Sequence, residues 1–179
     1  MSEETNLSRK PKLLEAGHPD NFQTPATALD CLVPYLRRDW MVWEPACGKG
    51  NLVSGLEDRG FRCIGTDLNG GVNFLEADAG RYDCIVTNPP FSIKEKFLAR
   101  CYALAKPFAL LLPITTFDSS ARRKLFHTHG VQVVMPNGRV NFETPNGVGS
   151  SAWFYCCWFT WGLELPSQLM FAGIGDNLL

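Results

Sequence analysis

The chain has no apolar run long enough to cross a membrane, and its polar amino terminus, Met1-Ser2-Glu3-Glu4, carries no signal-peptide pattern. A cytoplasmic protein is the expectation. There is no Cys-x-x-Cys pair, and the three histidines, His18, His127 and His129, fit no zinc-ligand spacing, so no structural metal is expected. The seven cysteines are scattered and read as small buried apolar residues. An excess of one charge is missing too, since a net charge of −1 argues against holding a polyanion by bulk electrostatics. Such a contact would have to come from a local patch. Arg122-Arg123-Lys124 is the densest candidate, with Lys94, Lys96, Arg100 and Arg139 as further ones, and each reads equally well as a solvated face. There is no internal repeat and no low-complexity run.

What is present is an ordinary globular composition, 45% hydrophobic and 20% charged, in 179 residues, enough for one domain with a real core and too few for two of usual size. Residues 1–20 are polar and broken by Pro11, Gly17 and Pro19, which predicts a mobile arm. Thr24-Pro25 is expected to open a helix through Arg37, with Thr24 as N-cap and Ala28, Leu29, Leu32, Val33 and Leu36 as its apolar stripe. Strands are expected at 41–44, 61–66, 72–75, 82–87, 108–112, 131–134 and 152–161. Helices are expected at about 51–59 and 93–105, with a third capped by Asp118 or Ser119 and running to about His127. Such alternation makes βαβ units, and so an α/β fold with a three-layer, mostly parallel, seven-stranded sheet. The last two strands have no helix between them and should pair antiparallel at one edge. Their connection, 135–151, is long enough to be functional or disordered.

Chemistry gathers at the strand ends. Asn88-Pro89-Pro90-Phe91 closes an apolar strand, and its two prolines stop the ladder and stiffen the bend that follows. The bend presents an amide, a proline carbonyl and an aromatic ring at a strand's carboxyl end, where open α/β sheets keep their ligands. An amide oxygen and a carbonyl can both accept hydrogen bonds from a planar exocyclic amine, while the ring stacks on its heterocycle. By itself an Asn-Pro step is more often a plain turn. Glu44-Pro45-Ala46-Cys47-Gly48-Lys49-Gly50 joins the first strand to the first helix, and its glycines allow close backbone approach near free helix-terminal N–H groups. The third glycine of a dinucleotide fingerprint is absent, and no Gly-Lys-Ser/Thr of a P-loop follows, which leaves a nicotinamide-dependent dehydrogenase a distant reading. Asp67, at the end of the second strand, is placed to bind a ribose diol.

Together these motifs resemble the class I S-adenosylmethionine-dependent methyltransferases, and more narrowly the small phage-type enzymes that methylate adenine N6 in DNA. Glu44, Pro45, Ala46, Cys47, Gly48 and Gly50 look like that family's cofactor loop, and Asp67 with Leu68 like its ribose-binding position. Asn73-Phe74-Leu75 resembles the motif around the cofactor's adenine, with Asn73 where the family usually has aspartate. Asn88-Pro89-Pro90-Phe91 matches the catalytic motif, and Phe22-Gln23-Thr24-Pro25 the amino-terminal segment that closes over the methionine end. The motif order is the family's gamma arrangement.

The resemblance implies a Rossmann-like methyltransferase domain over 21–165, a tail over 166–179, S-adenosyl-L-methionine as cofactor and no separate target-recognition domain. It further implies DNA as the substrate, contacted by Phe91, Arg139, Phe142, Arg122, Arg123 and Lys124. Phe142 reads equally well as an apolar anchor. Adenine in RNA, a protein glutamine amide, and an idle methyltransferase fold acting as a binding subunit remain alternatives.

Overall fold

The computed structural model describes residues 23–77, 80–144, 147–148 and 154–172. The arm expected over 1–20, and Phe22 of the closing segment, lie outside these. Seven strands form one sheet in the order β2-β1-β3-β4-β8-β5-β9. They are β1 (Met41–Glu44), β2 (Arg62–Gly65), β3 (Cys84–Thr87), β4 (Phe108–Pro113), β5 (Gln132–Met135), β8 (Cys156–Trp161) and β9 (Leu169–Phe171). A separate two-stranded pair, β6 (Glu143–Thr144) and β7 (Gly147–Val148), sits in the long connection before β8. All neighbours in the main sheet run parallel except β8, which is antiparallel to both β4 and β5.

Three helices, α1 (Asn51–Glu57), α2 (Lys94–Leu104) and α3 (Ser120–His129), complete the three layers. Alternation along the strands feeds two separate cores, because successive side chains of a strand leave on opposite faces. Val42, Val86, Ala109, Leu111 and Trp158 bury against Leu29, Leu32 and Leu56 on one face. Trp43, Ile85, Phe108, Leu110 and Phe159 bury against Leu98, Cys101 and Phe126 on the other. The expected α/β sheet, mostly parallel with an antiparallel pair near one end, is the fold observed.

Three elements differ from expectation. The helix expected from Thr24-Pro25 to Arg37 is two 3-10 turns, Ala26–Leu29 and Val33–Tyr35. Pro34 has no N–H to donate and its ring crowds the preceding turn, so an α-helix cannot continue through it. Thr24 makes no capping bond, yet Ala28, Leu29, Leu32 and Leu36 are buried as their spacing predicts. The strand expected at 72–75 is a turn: Asn73 Oδ1 accepts from Leu75 N–H, and the Asn73 carbonyl accepts from the N–H groups of Glu76 and Ala77. The seventh strand comes instead from Leu169–Phe171, within the segment read as a tail, and lies parallel to β5 outside the β5–β8 pair.

The cysteines behave as small apolar residues. Cys84, Cys101, Cys156 and Cys157 are buried, and burial pushes the thiols of Cys31 and Cys157 up to about 11 and about 12. His127 and His129 occupy the last turn of α3, where helix dipoles favour donors.

Candidate active site

The carboxyl ends of β1, β2 and β3 open on a cleft of about 370 Å³, within the ~300–1,000 Å³ usual for small-molecule sites. Most of the predicted cofactor residues line it: Gln23, Thr24, Glu44, Pro45, Ala46, Cys47, Gly48, Asp67, Leu68, Asn73, Phe74 and Asn88. Pro25 lines a neighbouring groove instead, and Gly50 sets the backbone turn into α1 with φ +87°.

The loop after β1 is held from three sides. Gly48, with φ +52°, lies so close under the Gln23 amide that a Cβ there would stand 2.9 Å from its Nε2 and Oε1. Gly48 N–H donates to Asp67 Oδ2 at 3.0 Å, and Lys49 N–H donates to Gln23 Oε1 at 2.9 Å. Asp67 Oδ1 also accepts from Asn69 N–H at 2.9 Å, which fixes the 3-10 turn Leu68–Gly70. Each carboxylate oxygen keeps a further lone pair for a ligand hydroxyl. Leu68 is 70% exposed at the rim, which gives an apolar wall to whatever the cleft takes.

Glu44 lies beneath the loop, 1% exposed. Its Oε1 accepts from Ala46 N–H at 3.0 Å and from the Thr87 hydroxyl, while Oε2 is buried with no partner among the described residues. Burial, opposed by those two hydrogen bonds and reinforced by Asp67, pushes its carboxyl up to about 8. Asn88 follows Thr87 at the end of β3, and its Oδ1 is likewise buried without a partner among the described residues. Two orphaned polar atoms beside one cleft form an incomplete polar site, since buried polar atoms normally find partners.

Phe91, the first residue of the 3-10 turn Phe91–Ile93 that leads to α2, meets Phe154 edge-on at 5.6 Å and Phe142 at 6.4 Å. Phe142 is 4% exposed, packed in the core as well as against Phe91. Of the basic group, Arg122 is engaged: it pairs with Glu95 at 2.6 Å and donates to the Thr116 carbonyl, tying the start of α3 to the first turn of α2. Arg123, Lys124 and Arg139 are exposed.

Several contacts could not be read from local patterns. Thr87 is one, although a threonine ending an otherwise apolar buried strand is a usable signal. The bridge between Gln23 and Glu143, with N–H···O distances of 3.0 and 2.9 Å, is another, and it joins the amino-terminal segment to β6. Lys49, Asn51, Val72 and Ile93 also line the cleft. Among the described residues no group of three or more His, Cys, Asp or Glu side chains could hold a metal ion, and no helix is long and apolar enough to cross a membrane.

No family model matches the chain, and no curated protein matches it. Among solved structures it is similar to the type I restriction-modification system methyltransferase subunit from Streptococcus thermophilus, with a TM-score of 0.57 at 14% identity over 84% of this chain and 47% of that one. The fold is shared with a methyltransferase subunit. The chain spans about half of that subunit's length. Looser likenesses are to a protein described as a modification subunit of a type I restriction enzyme from Vibrio vulnificus (TM-score 0.48, 17% identity, 82% of this chain and 45% of that one) and to a dimethyladenosine transferase from Plasmodium falciparum (0.44, 13%, 78% and 62%).

Proposed function

We propose that the chain transfers a methyl group from S-adenosylmethionine to the exocyclic 6-amino group of adenine in DNA, with low sequence discrimination. The observation that carries this reading is the pair of unsatisfied buried polar atoms, Asn88 Oδ1 and Glu44 Oε2, at the ends of β3 and β1 beside one cleft. The residues fit the cofactor. Asp67 suits a ribose diol, Asn73, Phe74 and Leu68 suit the adenine, and Glu44 Oε2 with the Gln23-Thr24 segment suits the methionine end. When bound, that cofactor supplies an electrophilic methyl group on a sulfonium.

The acceptor amine is a poor nucleophile because its lone pair is delocalised into the ring. Asn88 Oδ1 and the Pro89 carbonyl accept its two hydrogens, which favours a pyramidal nitrogen with its lone pair free to attack. The same fixed dipoles stabilise the positive charge that develops on nitrogen, which then sheds one proton to water to leave the neutral N6-methyl product. No strong base is needed before transfer, in keeping with a motif that has neither histidine nor carboxylate. The two prolines hold the amide in place, so that positioning contributes much of the rate. A base within a duplex cannot reach the end of β3, so the nucleotide is flipped out and stacks on Phe91. Arg123, Lys124 and Arg139 contact phosphates, with Arg122 supporting that surface through Glu95. With few such charges, binding is weak and salt-sensitive.

Tritium transfer from labelled cofactor to DNA, RNA and protein fractions tests the proposal. Label in DNA adenine supports it, and label confined to RNA or protein reassigns the acceptor. Calorimetry with S-adenosylhomocysteine separates an enzyme from an idle fold, because an idle fold shows no binding. The mechanism fails if Asn88→Ala retains near-wild-type transfer.

A further inference from the structure

A second groove opens at the same edge of the sheet, and Pro25 on its rim follows Thr24 of the cofactor cleft. β5 and β9 run parallel to one another, and β5 runs parallel to β4 because β8 is antiparallel to both. The carboxyl ends of β5 and β9, Met135 and Phe171, therefore face the same way as Glu44, Asn88 and Pro113. Beyond them lies a groove of about 790 Å³ between the 3-10 turns of residues 26–35 and the loop that follows β5.

Its composition differs from that of the core beneath. Phe171 is 53% exposed, and with Tyr35 it gives the groove two aromatic rings. The exposed Arg139 and the amides of Asn137 and Asn141 come from the loop. The Tyr155 hydroxyl donates to the Pro136 carbonyl and so fixes where that loop leaves the sheet. The acid within the groove, Asp30, is paired with Arg59 at 2.5 Å, so it opposes an incoming anion less than a lone carboxylate would. The loop that lines the groove also reaches the catalytic tetrapeptide. Asn141 lines the groove, and the next residue, Phe142, packs against Phe91 of the catalytic tetrapeptide.

We infer that this groove holds the DNA strand flanking the acceptor adenine, with a base stacked on Phe171 and a phosphate against Arg139. The inference rests on the reading of the chain as a DNA adenine methyltransferase. Aromatic rings beside an arginine in an open groove are what sequence-tolerant binding of a single strand requires, because every base has a π-face. From β3 to β5 and β9 the sheet spans three to four strand spacings, roughly 14–19 Å. That is about four to six nucleotide steps at the ~3.4 Å rise of a stacked strand. Acceptors with shorter flanks do not reach the groove.

The test is steady-state methyl transfer to single-stranded DNA oligonucleotides carrying one adenine and flanks lengthened one nucleotide at a time, with the full chain and its Phe171→Ala variant. KM is expected to fall about five- to tenfold once the flank reaches the groove, while kcat stays level. Phe171→Ala should abolish that step and leave S-adenosylhomocysteine affinity unchanged. A KM that does not depend on flank length, or a step that survives in Phe171→Ala, overturns the inference while the proposed activity stands. Equal loss of transfer to every length with intact cofactor affinity also overturns it, because Phe171 would then act through the fold. Absence of transfer to any oligonucleotide, with cofactor bound, defeats the proposed activity itself. A shift of Phe171→Ala from dimer to monomer in sedimentation, without a change in KM, assigns the surface to a second copy and overturns the inference.

Discussion

At the carboxyl ends of β1 and β3 the buried polar groups outnumber their partners, whereas β8, between β4 and β5, leaves no buried side-chain polar atom without one. Four buried side-chain atoms lack a partner among the described residues, and three of them, Glu44 Oε2, Asn88 Oδ1 and Thr116 Oγ1, lie just past or at the ends of parallel strands. In β8 the Trp158 indole N–H donates to the Ala28 carbonyl at 2.8 Å, Thr160 Oγ1 donates to the Gln132 carbonyl at 3.1 Å, and Trp161 donates to the His129 carbonyl at 2.8 Å. One region is left polar and unfinished, as a ligand site must be. The other has its polar groups satisfied. Substitutions in the two should therefore separate activity from stability.

The largest effect is expected in the finished half. Trp158 is fully buried and ties β8 to the 3-10 turn at Ala28. Trp158→Ala should cost about 3–5 kcal/mol of folding free energy, since it leaves a cavity and an unpaired carbonyl. Urea denaturation followed by circular dichroism would measure it. A loss below 1 kcal/mol would mean that the two halves are not divided in this way. Asn88→Ala is its counterpart in the unfinished half. Methyl transfer should fall by about 10²–10³-fold, the usual consequence of removing one preorganised dipole. Its urea midpoint should hold or rise, because a buried acceptor without a partner is removed. Single-turnover kinetics beside a denaturation curve tests both statements.

The same division governs what could be read from the chain alone. Glu44, Gly48, Asp67 and Asn88, which the structure brings to one cleft, could be picked out because each lies at or shortly after a strand end, where glycine, proline and a carboxylate or amide act over a few residues. The remaining differences have nonlocal or competing causes. The apolar stripe of Ala28, Leu29, Leu32 and Leu36 reads correctly as buried, but Pro34 overrides the helix that the stripe suggests. Val72-Asn73-Phe74-Leu75 alternates like a strand, yet the Asn73 side chain satisfies the backbone locally and a turn wins. Leu169–Phe171 is too short to announce a strand, and its partner β5 is remote in sequence. The bridge from Gln23 to Glu143 has no local signature at all.

Acid–base linkage acts on the unfinished half alone, and its effect is spread over several pH units. The Glu44 carboxyl rises from 4.5 to about 8 through burial, so the folded chain keeps a proton that the unfolded chain releases. Stability from this group is complete below about pH 4.5, declines as pH rises, and is gone above about pH 8. The steepest decline is ~1.4 kcal/mol per pH unit. Denaturation at pH 5, 6, 7 and 8 should show wild type losing stability with rising pH and Glu44→Gln losing less. Equal slopes in the two proteins would show that Glu44 titrates normally and that Oε2 is not isolated from water.

The smallest effect is expected where the loop after β1 meets Gln23. Gly48 has φ +52°, where a non-glycine residue costs about 1 kcal/mol. A Cβ there would also meet the Gln23 amide at 2.9 Å, and that amide accepts from Lys49 N–H and belongs to the residue bridged to Glu143. Gln23 has a flexible side chain and can yield, so Gly48→Ala should fold with only a small loss. The displaced amide no longer holds the loop against the segment that carries Gln23. Affinity for S-adenosylhomocysteine should therefore drop about fivefold, in line with loss of a single net hydrogen bond. Calorimetry on Gly48→Ala and Gln23→Ala decides the cause. Similar losses in both variants identify the Gln23 contact as the shared element, whereas a loss in Gly48→Ala alone assigns it to backbone strain in the loop.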